Sequence, residues 1–306
     1  MNRAVSIAIL TYKRHQHLVR AVKSARAHAE RVAEIIVVDN AAEAEVKRLM
    51  KSDFPEVRYI AAPNNGGCEG RNIALRAAAT PIVITIDDDV ELSSPACIDE
   101  VEAAFARDPL LACLNFTVAS ADGSIERDWC HPRPVSHAAR EFETYFIMEG
   151  ASALDRARVL EVGGYSAEYF LGHEGVDLAF RLIRNGYRVV HTPRVSVTHY
   201  TAAEERPGWR LYYYYTRNGL WNCYRSFPPM LALGYAIEHT AKMAFFAIRA
   251  KQGFAFLRGC ADGLRGLPAL KRECLDPHSL ERVRAMKAQH VAYAGRIQRH
   301  LRERIL

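Results

Sequence analysis

Short apolar runs alternate with amphipathic stretches along the first 110 residues. "AVSIAIL" (4–10) is apolar except for Ser6 and is closed by Thr11, the pattern of a strand buried on both faces. "EIIVVD" (34–39), "VRYI" (57–60) and "PIVITID" (81–87) repeat that pattern. The intervening stretches 15–28, 42–50 and 70–79 read as helices, and 95–107 adds a fourth. Such alternation predicts an α/β fold with a doubly wound, mostly parallel sheet. Beyond residue 110 the pattern loosens. Residues 110–118 read as a strand and 120–140 as a loop; 172–189 read as a loop, a helix ended by Gly186 and a further strand. From about residue 209 onward the chain reads as helical.

Charge sharpens this division. Residues 206–306 hold 18 Lys and Arg against 6 Asp and Glu, a net +12; the remainder holds 23 against 29, a net −6. Two regions are expected: 1–205, with a first part to about 118 and a second from 119, and a basic helical region over 206–306. Seven scattered cysteines with no C-x-x-C imply neither a disulfide framework nor a zinc site, and a reducing cytoplasmic location is expected. The apolar run near the N-terminus is too short for a signal peptide.

Ligands of doubly wound sheets bind at the carboxyl ends of the strands. Polar residues collect at those ends: Thr11, Asp39, Asn64 and the run Asp87, Asp88, Asp89. A D-x-D closing a buried strand suits a hard divalent cation, Mg²⁺ or Mn²⁺, which takes oxygen ligands and keeps places for water and phosphate. A solvated acidic turn is the alternative. Asp39, followed by Asn40, can accept a hydrogen bond from a ribose hydroxyl or a base N–H, or can cap a helix. "PNNGGCEGRN" (63–72) permits close backbone approach through its glycines, and Arg71 can pair with phosphate. Its glycine spacing is not that of the dinucleotide fingerprint, which argues against a dehydrogenase. In "HEGVDLAFR", Glu174, Asp177 and Arg181 fall on one helix face. Asp177 is spaced to pair with Arg181, while Glu174 sits in the first turn, where the helix dipole favours the ionised form a general base needs. His199 ends another short strand and can serve beside a carboxylate as a cation ligand.

Taken in order, these motifs resemble the inverting family 2 glycosyltransferases of the GT-A fold. The resemblance covers about residues 4–225: "TYKR", "VVDN", "NNGGCEGRN", "IDDD", "FLGHEGVDLAFRL", the late histidine and "YYYYTRNGLW". It implies a nucleotide-sugar donor and a divalent cation. It also implies that Thr11, Tyr12 and Arg14 line the nucleotide pocket, that Asp39 and Asn40 lie at the base, and that Arg71 and Asn72 lie near base or ribose. Asp87 and Asp88 would lie near ribose and diphosphate. Asp89, with Asp87 and His199, would hold the metal, and Arg217 would meet the diphosphate. A lipid-linked or cell-envelope glycan is the implied acceptor. dTDP-rhamnose is the first donor expectation, with UDP-hexoses as alternatives.

One departure stands out. Where the family commonly carries Glu-Asp, this chain has Glu174-Gly175. Glu174 is then the expected base, with Asp177 in reserve or structural. A catalytically weak or inactive nucleotide-sugar-binding scaffold is the alternative. The basic tail raises a second one, nucleic-acid binding, which no recognised motif supports. Within the tail, Leu233, Ile237, Ala241, Phe245 and Ile248 recur at helical spacing, and charges interrupt every run before it could span a bilayer. That pattern fits a helix lying on an anionic membrane surface, at the inner face of the cytoplasmic membrane, or one packed on the protein.

Overall fold

The computed structural model describes residues 4–94, 96–125, 132–200 and 208–291. Four strands, β1 (Val5–Thr11), β2 (Glu34–Asp39), β3 (Arg58–Ala61) and β4 (Ile82–Asp87), run parallel in the order β3-β2-β1-β4. Helices α1 (His15–Arg26), α2 (Ala44–Asp53) and α3 (Glu69–Ala77) connect them. After a short β5 (Val90–Leu92) come α4 (Cys97–Arg107), β6 (Leu111–Ser120), β7 (Phe142–Glu143) and β8 (Ala151–Asp155). They are followed by α5 (Arg156–Glu161), α6 (Glu174–Arg184) and β9 (Arg188–His199).

Here the sheet becomes mixed. β8 inserts antiparallel between β4 and β6, β9 runs parallel to β6, and β5 and β7 pair antiparallel with β9. Two apolar cores flank the nine strands found among the described residues. Ile7, Ile9, Val37, Ile84 and Ile86 face α1, α2 and α4; Ala8, Ile36, Val38 and Val83 face α3, α5 and α6. This two-sided burial is why the parallel strands read as unbroken apolar runs.

The C-terminal helices are α7 (Trp209–Ser226), α8 (Pro229–Arg249), α9 (Gly253–Gly266) and α10 (Pro277–Ala288). Leu280, Val283 and Met286 of α10 join the second core. One core therefore runs from the sheet into the basic helical region. Among the described residues no helix is long and apolar enough to cross a membrane. Most of the apolar stripe expected on α8 faces outward: Leu233 and Ile237 are 58% and 62% exposed, and Ile248 is 71% exposed.

Candidate active site

The parallel register brings the ends of β1 and β4 side by side, with Leu10 opposite Asp87. There the Thr11 hydroxyl donates to Asp88 Oδ2 at 2.7 Å, and the Arg14 guanidinium meets Asp88 Oδ1 at 2.7 Å while also reaching Asp89. Burial is the largest influence on the Asp88 carboxyl, and the neighbouring Asp89 charge adds to it. Against the opposing pull of Arg14 and Thr11, its pKa rises to about 7. Asp87 turns another way. Arg71, buried in α3, donates to its Oδ1 at 2.6 Å and to Thr85 Oγ1 at 2.9 Å. The three aspartates are thus divided between two arginines.

β5 turns back from this cluster and pairs with β9, setting Val90 opposite His199. His199 Nε2 consequently lies 3.7 Å from Asp89 Oδ2, both residues buried. Carboxylate with imidazole is a donor set that Mn²⁺ or Mg²⁺ accepts when substrate phosphates and water complete the shell. Among the described residues no third His, Cys, Asp or Glu converges on them to make a closed protein cage. The residues therefore fit a cation completed by substrate.

The Gly-rich stretch forms the opposite wall. A Cβ on Gly67, whose φ is +59°, would lie 2.0 Å from the Phe170 carbonyl oxygen, and that same oxygen accepts from the Cys68 N–H. Only glycine permits this approach. Asn40 secures the wall by donating to Gly67 O at 2.9 Å. Asn72 exchanges two hydrogen bonds with the Tyr165 backbone, so its amide ties α3 to the segment leading into α6. Asp39 is fully buried. Its carboxylate accepts from the N–H groups of Ala41 and Glu43 and from the Tyr59 hydroxyl, bonds that close the turn after β2; α2 begins only at Ala44, with Glu43 before it, so Asp39 does not cap that helix. Tyr12 lies at the cluster's edge, exposed, with its N–H 3.4 Å from Asp88 Oδ2.

α7 holds the entrance to α6. Asn218 Nδ2 lies 2.6–3.0 Å from the carbonyl oxygens of Tyr169, Leu171 and Gly172, and Asn222 donates to His173 O. Phe170 and His173 take positive φ values of 61° and 66° in this short loop, strain that the clamp sustains. Arg217 is engaged here: it donates to Glu168 O and Tyr169 O and stacks over Trp221.

Asp177 accepts from Ser166, twice from Arg181, and pairs with Arg225 at 3.2 Å. Its oxygens are committed to that buried network. Glu174, 5% exposed, has an Oε2 with no hydrogen-bond partner. Burial first, and the nearby Glu149 charge second, raise its pKa to about 8. Glu149 is the residue the sequence reading missed. It lies in the loop before β8, half-buried, and accepts the Gly175 N–H at 2.9 Å. Nothing in the linear sequence sets residue 149 beside residue 175; the only local signal is a charged residue directly before a short strand of small side chains.

Residues 6–161 match the family Glycosyl transferase family 2. Two curated relatives, both N-acetylglucosaminyl-diphospho-decaprenol L-rhamnosyltransferase of Mycobacterium tuberculosis strains, are 26% identical over 239 residues. The match covers 66% of this chain and 78% of theirs. Among solved structures, the fold is similar to the mannosyltransferase PcManGT from Pyrobaculum calidifontis in complex with GDP-Man and Mn²⁺. The TM-score is 0.57 at 16% identity, over 96% of this chain and 82% of that one. Residues 1–349 of S. aureus TarS give 0.58 at 13% identity, over 92% and 82%. GalNAc-T7 with UDP, GalNAc and Mn²⁺ gives 0.55 at 15% identity over 81% of this chain, which spans 57% of that enzyme.

Proposed function

The chain belongs to glycosyl transferase family 2, and from that premise we propose that it is a cation-dependent, inverting enzyme. It moves a sugar from a nucleotide-sugar donor to a lipid-linked or cell-envelope glycan. One observation carries the reading: Thr11, Arg14, Asp88, Asp89 and His199, together with the Arg71–Asp87 pair, converge at the carboxyl ends of β1 and β4. In this reading Asp89 and His199 hold the cation. Asp87, fixed by Arg71, faces the ribose, and Thr11, Tyr12, Asp39, Asn40 and Asn72 shape the nucleotide side. Bound there, the cation supplies Lewis-acid stabilisation of the departing diphosphate. Arg14, already at the edge of the cluster, adds positive charge where the leaving group gains negative charge. The acceptor hydroxyl gives its proton to a carboxylate beside the first turn of α6 and attacks the anomeric carbon from the face opposite the diphosphate, inverting its configuration.

The two curated relatives are named as rhamnosyltransferases with a diphospho-polyprenol acceptor. Their names favour dTDP-rhamnose over UDP-hexoses as the donor, and a lipid-linked diphosphate acceptor. The outward apolar face of α8 and the exposed Phe254 and Leu257 of α9, with Arg249, Lys251 and Arg258 nearby, suit adsorption to the anionic surface where such an acceptor resides. Nucleoside diphosphate release from a panel of donors, with Mn²⁺ and with chelator, tests the proposed reaction.

A further inference from the structure

Gly175 is a helical residue whose backbone does not demand glycine. What demands it is a neighbour. A Cβ at 175 would lie 2.4 Å from Glu149 Oε1 and 2.7 Å from the Ile147 carbonyl oxygen, distances that side chains do not reach. The Glu149 carboxylate thus occupies the space into which a side chain at 175 would project, and the Gly175 N–H in the first turn of α6 binds it at 2.9 Å. Burial raises the pKa of Glu149; that N–H and the helix dipole act against the rise.

The loop carrying Glu149 is held by hydrogen bonds and adjoins the aspartate cluster. Fully buried Asn115 accepts from Met148 N at 2.8 Å and donates to Phe146 O at 2.9 Å. Thr85, the Arg71 partner, donates to Glu149 O at 3.2 Å. The next residue, Gly150, lies so close to Asp87 that a Cβ would come within 2.7 Å of its carboxylate. Glu149 therefore stands between the Arg71-held aspartate and the start of α6.

Two carboxyls in one buried place do not ionise together. Glu174 is the more enclosed and has an oxygen without a hydrogen-bond partner, so it keeps the proton; Glu149 has an N–H donor and retains exposure. We propose that Glu149, not Glu174, takes the proton from the acceptor hydroxyl, with Glu174 as a protonated positioning residue beside it. The inference rests on the transferase reading. In the step, the acceptor O–H proton passes to a Glu149 carboxylate oxygen. The acceptor oxygen forms a bond to the anomeric carbon, and the bond from that carbon to the diphosphate breaks, its electron pair leaving with the nucleoside diphosphate.

The test compares full-length wild type, Glu149→Gln, Glu149→Asp and Glu174→Gln with a donor that wild type turns over, measuring kcat, donor affinity and Tm. Glu149→Gln is expected to lose about 10²–10⁴-fold in kcat, with donor affinity within about threefold of wild type and an undiminished Tm. Glu149→Asp, which keeps a carboxylate, exceeds it by about tenfold or more, and Glu174→Gln loses less than Glu149→Gln. Near wild-type kcat for Glu149→Gln overturns the assignment while leaving the transferase reading intact. So does loss of donor binding or of the fold in that variant, which marks a structural role, and so does a larger loss in Glu174→Gln. If wild type turns over no donor, the transferase reading falls and the assignment falls with it.

Discussion

His199 Nε2 lies 3.7 Å from Asp89 Oδ2, brought there by the antiparallel pairing of β5 with β9. The two residues are 110 positions apart, and neither alone holds a divalent cation well. Asp89→Ala is expected to reduce cation-dependent turnover by about 100-fold or more, and His199→Ala to raise the Mn²⁺ concentration needed for half-maximal rate. Titration of Mn²⁺ into each variant at fixed donor checks both. Unchanged metal dependence in both variants would move the cation elsewhere.

Asp177 is a matter of stability. Its carboxylate neutralises Arg181 and Arg225 in a buried setting, so Asp177→Ala leaves the Arg181 guanidinium without its carboxylate and Arg225 with only Glu168 and Glu273, each at 3.4 Å. A loss of about 3–5 kcal/mol in denaturant unfolding is expected. Activity should fall in proportion to the folded fraction, without a selective loss of kcat in the material that remains folded.

The raised pKa of Glu174 has a consequence for folding. An acid whose pKa is raised in the folded state contributes stability that is full below the ordinary carboxylate range and is lost progressively as pH rises from there to the folded value, here about 8. Glu174→Gln, which cannot ionise, should therefore gain stability over wild type as pH rises from about 5 to about 8, the difference levelling off above that. The gain should be of order 1 kcal/mol or more, with little difference near pH 5. Parallel thermal melts across that range show whether the two curves diverge.

The outer face of α8 gives a different kind of expectation. Leu233 and Ile237 point outward on a helix whose other side packs against α7. The double variant Leu233→Glu, Ile237→Glu should fold normally and lose most of its sedimentation with vesicles containing anionic lipid, while retaining soluble donor turnover. Equal vesicle binding by wild type and variant would assign that face another role.

Much of this was legible in the sequence because the informative residues follow strands. The runs ending at Thr11, Asp39 and Asp87 placed β1, β2 and β4 within a residue or so, and parallel pairing then brings strand ends together. β8 was not legible, since Ala151–Asp155 is short and built of small residues, and its antiparallel insertion depends on contacts with β4 and β6. Glu149 was hidden with it. Sequence order did not show what holds the loop before α6. An Arg-Asn pair on a helix suggests phosphate, and the structure also engages both side chains in holding that strained loop. For Asp39 the helix-cap alternative falls away, since its carboxylate closes the turn after β2 ahead of α2.

The most direct measurement is nucleoside diphosphate release by purified wild type from dTDP-rhamnose and UDP-hexoses, with a polyprenyl-diphosphate glycan acceptor, with Mn²⁺ and with EDTA. Release is expected from at least one donor, requiring Mn²⁺, rising with acceptor and disappearing in Asp89→Ala. Release that is indifferent to EDTA and to Asp89→Ala would contradict the proposed cation-dependent reaction.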